Sequence, residues 1–245
     1  MERLDQLLHR RGLFPTREQA RRAVMAGVVE VNGSRVDKPG RAVRLDAEIL
    51  VAEPAEPFVS RGGRKLEAAL QHFAIDPKGW TCMDVGASTG GFTDCLLQHG
   101  ARKVFAIDVG YGQLDYRLRG DSRVVVMERI NARYLEQDAL GETCDLATFD
   151  LSFISLAKVV PAVLVHVRAG GLLLALVKPQ FEAGRAEVGK GGIVRNEGVR
   201  RETVARTVAD LEDCGLVALG QFDSPVHGAK GNREVFALLR KEALD

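Results

Sequence analysis

The chain reads as an α/β protein in which a mostly parallel sheet, covered by helices on both faces, follows a small α+β module. Three observations predict this. Between residues 80 and 240 short apolar runs alternate with segments of helical periodicity. Those runs are continuous rather than alternating, as strands buried on both faces require. A stretch rich in proline and glutamate, Ala52 to Pro57, interrupts both periodicities and separates the sheet region from a basic amino-terminal segment. With 245 residues, 46% hydrophobic and 27% charged, the chain can bury a sizeable core and lies far from disordered compositions. The expected division is 1–57, including the linker, and 58–245.

In the amino-terminal module, Leu4, Leu7 and Leu8, then Ala20, Ala23 and Val24, recur at three- and four-residue spacing. Two short amphipathic helices follow, broken around Gly12 to Pro15. Thr16 and Gln19 have the spacing of a capping box at the second start. Val28, Val29 and Val31 then lead into Asn32-Gly33, the dipeptide that most readily takes a tight hairpin turn. Net charge is +1, but residues 1–65 hold 13 Lys and Arg against 9 Asp and Glu, while the rest hold 21 against 24. Arg17, Arg21 and Arg22 share a flank of the second helix, so one basic face can follow a phosphate backbone. The run Arg-Leu-Asp-x-Leu-Leu from Arg3, Arg-x-x-Ala-Arg-Arg-Ala-Val from Arg17, Gly27 to Gly33 and Lys38-Pro39 resembles the S4 RNA-binding domain over about residues 2–52. The resemblance implies recognition of structured RNA by shape and backbone, with Arg3, Arg17, Arg21, Arg22 and Arg35 as phosphate contacts.

After the linker, Ser60 to Phe73 reads as a helix with Leu66, Ala69, Leu70 and Phe73 on one face. Lys65, one turn before Ala69, sits at the edge of that face and can point toward the body. The spacing then predicts strands at 80–85, 103–109, 123–127, 145–150, 171–177, 216–222 and 234–240, with helices at 90–99, 155–167 and 198–214. Ligands of such sheets lie at the carboxyl ends of the strands. The last two strands are joined by too short a loop for a helical crossover and are expected to be antiparallel, an ending typical of methyltransferase-like sheets.

Asp84-Val-Gly-Ala-Ser-Thr-Gly-Gly-Phe92 follows the first of these strands and opens a helix, the context of a glycine-rich nucleotide loop, although its spacing is not G-x-G-x-x-G. Gly86, Gly90 and Gly91 allow close approach of the backbone, and Ser88 stands where a pyrophosphate loop has glycine. Asp84 suits a cationic ligand such as S-adenosylmethionine, with its sulfonium and amino groups. Asp108, 22 residues beyond Gly86 at a strand end, is placed to accept from both ribose hydroxyls. A ribose carboxylate serves either NAD or S-adenosylmethionine. Asn131, after the next strand, is either a further pocket residue or a loop cap.

Three more segments each place an ionisable residue at a strand end: Asp150 in Asp-Leu-Ser-Phe-Ile-Ser-Leu, Lys178 in Lys-Pro-Gln-Phe-Glu, and Glu234 closing Ser-Pro-Val-His-Gly-Ala-Lys-Gly-Asn-Arg-Glu. With Lys65 they form a Lys-Asp-Lys-Glu set that resembles the tetrad of FtsJ-like ribose 2′-O-methyltransferases. Taken with the S4-like module and Ser60-Arg-Gly-Gly-Arg-Lys-Leu66, nearly the whole chain resembles the TlyA family of rRNA 2′-O-methyltransferases. That resemblance implies a class I (Rossmann-like) S-adenosylmethionine-dependent methyltransferase fold, S-adenosylmethionine as cofactor, bound by Asp84, Gly86, Ser88, Gly90, Gly91, Phe92, Asp108 and Asn131, and ribosomal RNA or ribosomal subunits as partner. It also implies cytidine as the target and adds Arg61 and Arg64 to the RNA contacts. Where FtsJ-like loops commonly have Ala-Pro, this chain has Ser88-Thr89.

A sugar hydroxyl is a poor nucleophile until its proton is leaving. Lysine, ordinarily near pKa 10.4, removes that proton only if burial and a second cation bring its value down, while nearby carboxylates pull the other way. The expected assignment is Lys178 as base, Lys65 as neighbouring cation and hydroxyl positioner, and Asp150 and Glu234 as the carboxylates that align them. The long glycine-rich stretch from Gly184 to Gly198, with Arg185, Lys190 and Arg195, is expected to close over RNA.

Cys82, Cys95, Cys144 and Cys214 show no C-x-x-C pair and the histidines no metal spacing, so neither a disulfide framework nor a metal site is expected. The longest apolar run, Ala169 to Val177, is too short to span a bilayer, and Met1 to Arg11 lacks an apolar signal core. A cytoplasmic protein is expected. Rival readings are an RNA-binding assembly factor with a vestigial enzyme domain, tested by methyl incorporation; a haemolysin, tested by liposome leakage; and a dinucleotide oxidoreductase, tested by nicotinamide cofactor binding.

Overall fold

A computed structural model describes residues 1–25, 27–51, 57–184, 187–189, 191–228 and 231–242. The linker expectation for 52–56 and the RNA-gripping role of Arg185 and Lys190 fall outside them. The chain forms two compact units, Met1–Pro57 and Phe58–Asp245.

In the first unit β1 (Glu2–Arg3), α1 (Leu4–Arg10), α2 (Arg17–Met25), β2 (Val29–Val31), β3 (Ser34–Arg35), β4 (Ala42–Val43) and β5 (Ile49–Val51) follow in order. Leu4, Leu7, Leu8, Ala20, Val24 and Val29 are fully buried and make one apolar core. At the start of α2, Gln19 N–H donates to Thr16 Oγ1 at 3.3 Å and Thr16 N–H donates to Gln19 Oε1 at 3.1 Å, the two bonds of a capping box. Asn32 and Gly33 both take positive φ, 51° and 73°, which is what a two-residue turn between β2 and β3 demands.

The second unit opens with α3 (Gly62–His72), then β6 (Thr81–Val85), α4 (Gly91–Gln98), β7 (Lys103–Asp108), α5 (Tyr116–Arg119), β8 (Val124–Glu128), β9 (Cys144–Phe149), α6 (Val160–Leu164), β10 (Val167–Val177), α7 (Pro179–Glu182), α8 (Glu197–Glu212), β11 (Leu216–Asp223) and β12 (Val235–Lys241). One sheet runs β11-β12-β10-β9-β6-β7-β8. From β10 to β8 every pairing is parallel, whereas β12 is antiparallel to both β10 and β11. The order reverses between β6 and β9, so the loops leaving these two strands diverge and open a crevice at their carboxyl ends. Buried side chains pack on both faces, Phe149 and Val163 on one, Leu66, Leu96 and Phe236 on the other.

The expected helix over 155–167 forms only in part, broken at Val159 and ended at Leu164. A 3₁₀ turn, Leu156–Lys158, and the five residues of α6 make it up, and from Val167 the chain already pairs with Cys144. A helical and a strand reading of one apolar run cannot be separated by periodicity alone, and here sheet pairing wins over propensity. Gly170, at φ 69°, lets β10 shift register before Leu172.

Helix α3 is seated by Gly63. A Cβ there would stand 2.2 Å from Phe58 Cγ. Gly63→Ala therefore lowers stability by about 1–3 kcal/mol, as overpacking does, although alanine is the better helix former. Thermal unfolding measures it; an unchanged or raised transition would contradict the contact.

Candidate active site

Four strand ends and one helix build the site. Asp150 N–H donates to Val85 O at 3.1 Å, which sets the loop after β9 against the loop after β6. Lys178 is the residue after β10 and Glu234 the residue before β12, while Lys65 arrives from α3. All four line one cavity of about 370 Å³. They are arranged as two ion pairs: Lys65 Nζ to Glu234 Oε2 and Lys178 Nζ to Asp150 Oδ1, both at 2.5 Å. The first is almost fully enclosed, its side chains 7% and 2% exposed; the second, at 11% and 23%, faces the opening. Gly228 makes room for Glu234, since a Cβ there would lie 2.0 Å from its Oε1. Lys178 also donates to Ser152 Oγ at 3.2 Å.

A second cavity, of about 430 Å³, adjoins the first and shares Gly86, Ser88, Asp150, Ser152 and Phe153 with it. Its walls are Ile107, Ile130, Leu151 and Ile154, with Asp108 and Asn131 as polar points. Asp108 accepts from Ser88 N–H at 2.8 Å on Oδ2 and from Gly110 N–H at 2.7 Å on Oδ1, so one carboxylate braces both flanking loops. Asn131 lines this cavity, and its Oδ1 accepts from Arg133 N–H to cap a 3₁₀ turn.

The loop glycines are crowded by the protein itself. A Cβ on Gly86 (φ 91°) would meet Asp150 O at 2.8 Å, one on Gly90 (φ 95°) Leu118 Cδ1 at 2.2 Å, and one on Gly91 Ser60 Oγ at 2.3 Å. Their missing side chains admit the protein's own neighbours, and only Gly86 and Gly91 line a cavity described here. Phe92 is buried and lines the first cavity.

Asp84 is fully buried. Its Oδ2 accepts from Thr93 N–H at 2.9 Å and from Thr93 Oγ1 at 2.7 Å, while Oδ1 has no partner. Burial pushes this carboxyl up to about 7, with Asp150 and Asp108 adding to the rise and Thr93 opposing it.

Three residues lie inside the quoted motifs but are given no role by them. Phe153 stands 89% exposed at φ 66°, lining both cavities, its ring centroid 4.9 Å from that of Phe181. Gln180 lines the first cavity with a buried, unpartnered Oε1. Glu182, raised by burial, accepts from Leu156 N–H at 2.9 Å and so ties the Lys178 loop to the Asp150 loop. A positive φ on a phenylalanine is costly and collects at functional sites.

Of the arginines expected on RNA, Arg61 lines the first cavity and Arg64 is exposed on α3. In the other unit Arg3 and Arg17 bond Asp5, Arg21 and Arg22 pair with Glu18 at the surface, and Arg35 is exposed, its guanidinium lying over Gly27.

Residues 58–241 match the model of the FtsJ-like methyltransferases and residues 2–49 that of the S4 domain. The chain belongs to the FtsJ-like methyltransferase family. It is 45% identical to the 16S/23S rRNA (cytidine-2′-O)-methyltransferase TlyA of Mycobacterium tuberculosis over 98% of this chain and 90% of that protein. A solved structure from Streptococcus thermophilus, provisionally named a hemolysin, superposes with a TM-score of 0.75 at 45% identity, covering 98% of this chain and 88% of that one. An S-adenosylmethionine-dependent methyltransferase from Mesorhizobium loti, 17% identical, shares the fold with a TM-score of 0.52 over 71% of this chain and 96% of its own.

The cofactor that goes with this FtsJ-like fold is S-adenosylmethionine, and the cavities fit it. The apolar slot beside Asp108 suits an adenosine whose ribose hydroxyls donate to the carboxylate, and the orphaned Asp84 Oδ1 suits a cation. A pH dependence follows. An acid whose folded value lies above its unfolded one, near 3.9, is neutral in the folded chain and ionised in the unfolded chain between the two. Asp84 therefore withdraws stability as pH rises from about 4 to about 7, and no further above that. A cationic donor prefers the ionised form, so its affinity rises with pH through about 7 and binding releases a proton. Calorimetric titration in two buffers of different ionisation heat reads that proton; Asp84→Asn should abolish the dependence.

Among the described residues no helix is long and apolar enough to cross a membrane, and no group of three metal-ligating side chains occurs.

Proposed function

We propose that this protein transfers the methyl group of S-adenosylmethionine to a ribose 2′-oxygen of ribosomal RNA, with cytidine as the target nucleoside. The observation that carries the reading is the pairing of Lys178 with Asp150 at the junction of the two cavities, where a donor in one and a ribose in the other would meet.

The bound cofactor supplies an electrophilic methyl on a positively charged sulfur. With that cofactor in place, Lys178 Nζ would accept the proton of the 2′-hydroxyl as the oxygen takes the methyl and the carbon–sulfur bond breaks, its electron pair staying on sulfur. Asp150, at 2.5 Å, fixes the amine and stabilises the ammonium that results. Lys65 is held rigid by Glu234 in an enclosed pair and orients the hydroxyl oxygen from the other side. Phe153 and Phe181 give an unpaired base an aromatic surface on which to stack, and Gln180 Oε1 offers it an acceptor. Arg61 lies beside these groups, where a backbone phosphate would be met. The arginines of the S4 unit add sequence-independent affinity for structured RNA.

Support for rRNA comes from the S4 unit together with the rRNA-modifying relative at 45% identity. The direct test is incubation with tritiated methyl donor and ribosomal subunits lacking ribose methylation, followed by mapping across 16S and 23S RNA. Label at one cytidine in a fixed sequence context is expected; label in protein, or in no RNA, would refute the proposal.

A further inference from the structure

In the S4 unit a carboxylate lies where a surface meant for a polyanion should avoid one. Asp5, on α1, is 1% exposed. Arg3 forks onto it, Nε to Oδ1 and Nη2 to Oδ2, each at 3.1 Å. Arg17, from α2, brings Nε and Nη2 to the same Oδ2, also at 3.1 Å. Both arginines keep about half of their side chains in water, at 49% and 51% exposure, and border a cleft with Arg21 and Glu18. The assembly is braced from below. Asp5 N–H donates to Pro39 O at 3.0 Å and Leu4 N–H to Arg41 O at 2.9 Å, while a Cβ on Gly40 would stand 3.0 Å from Arg3 Nη1. Arg21 and Arg22, by contrast, pair with the exposed Glu18, and surface pairs of that kind fix little.

A buried carboxylate is expensive unless it is held by several charged donors. We propose that Asp5 is a positioning residue for RNA binding: it fixes the Arg3 and Arg17 guanidinium groups side by side, with their outer N–H edges presented as one rigid clamp for backbone phosphate. The proposal rests on the reading of this face as an RNA surface. An arginine already immobilised loses less freedom when it meets phosphate, and two such side chains together change affinity by about tenfold or more.

Charge and geometry predict opposite signs, which makes the idea decidable. Asp5→Asn removes a negative charge from a surface facing a polyanion, so electrostatics alone would tighten binding. Loss of the clamp weakens it. The full-length chain is titrated against 16S and 23S rRNA transcripts between roughly 50 and 200 mM salt, with thermal unfolding and donor affinity recorded in parallel. We expect Asp5→Asn to bind about tenfold more weakly, with donor affinity unchanged, and Arg17→Ala to cost less in that background than in the parent. Equal or tighter binding by Asp5→Asn overturns the proposal. If that variant does not fold, Arg3→Lys/Arg17→Lys keeps every charge and loses the forks; weaker binding is expected, and parental affinity would overturn it. Should Arg3→Ala and Arg17→Ala both bind as the parent does, the RNA-surface reading falls and the clamp with it. Should they weaken binding while Asp5→Asn does not, only the role of Asp5 falls.

Discussion

Lys178→Ala is expected to lower single-turnover methyl transfer by about 10²- to 10⁴-fold, the span typical of removing a general base, while donor affinity stays within a few-fold. Lys178 is the better of the two lysines to test. Removing Lys65 would strand Glu234, 2% exposed, as an uncompensated buried charge, and such losses reach about 3–5 kcal/mol, enough to confuse chemistry with unfolding. Lys178 and Asp150 face the opening, so water can reach what the substitution leaves behind. Lys178→Arg separates the roles further: it keeps a cation beside Asp150 but replaces the amine with a guanidinium, which does not give up its proton in proteins, and transfer should stay low. Rapid-quench transfer alongside calorimetric donor binding makes the measurement. Full activity in Lys178→Ala would remove this residue from the mechanism.

Gly86→Ala is expected to lose donor affinity by about 1–3 kcal/mol, or roughly five- to hundredfold, and to slow transfer as well. The residue sits at φ 91°, a conformation in which a side chain is strained whatever the space around it. The new Cβ would also stand 2.8 Å from Asp150 O, which is backbone and cannot swing aside. Relief must displace either the donor loop or the peptide that carries Asp150, so both donor affinity and the transfer rate respond. Asp108→Asn makes the contrast. It weakens the brace on Ser88 and Gly110 and the grip on a ribose but leaves Asp150 where it is, so affinity falls and the rate at saturating donor holds. A Gly86→Ala protein with parental affinity would mean that the loop can move without loss.

The parallel strands were legible because each is a continuous apolar run bounded by turn residues, and the antiparallel ending followed from the short loop before β12. The run after Asp150 was not, since nothing in the spacing says where α6 stops and β10 begins. The Lys-Asp-Lys-Glu residues stand out as ordered motifs, but their division into one enclosed and one open pair depends on side chains brought together across 169 positions of chain for Lys65 and Glu234. The loop glycines invite a ligand-centred explanation, whereas their neighbours in space are Asp150, Leu118 and Ser60. Asp84 reads as a charged partner for a cation; its burial and the resulting protonation near neutral pH are properties of packing alone. Phe153 stands inside the Asp150 motif, but its role was hidden because backbone conformation and exposure, not residue type, make it unusual. Asp5 is visible in the Arg-Leu-Asp-x-Leu-Leu run, but its task is not, since nothing in the spacing says that Arg3 and Arg17 converge on it.

The most direct measurement is the chemical position of the transferred methyl. After reaction with tritiated donor, the RNA is hydrolysed in alkali, which cleaves next to every free 2′-hydroxyl and leaves a 2′-O-methylated nucleotide joined to its neighbour. All of the label in an alkali-resistant dinucleotide beginning with cytidine is the expected result. Label released as a mononucleotide methylated on its base would contradict ribose transfer and, with it, the role given to Lys178.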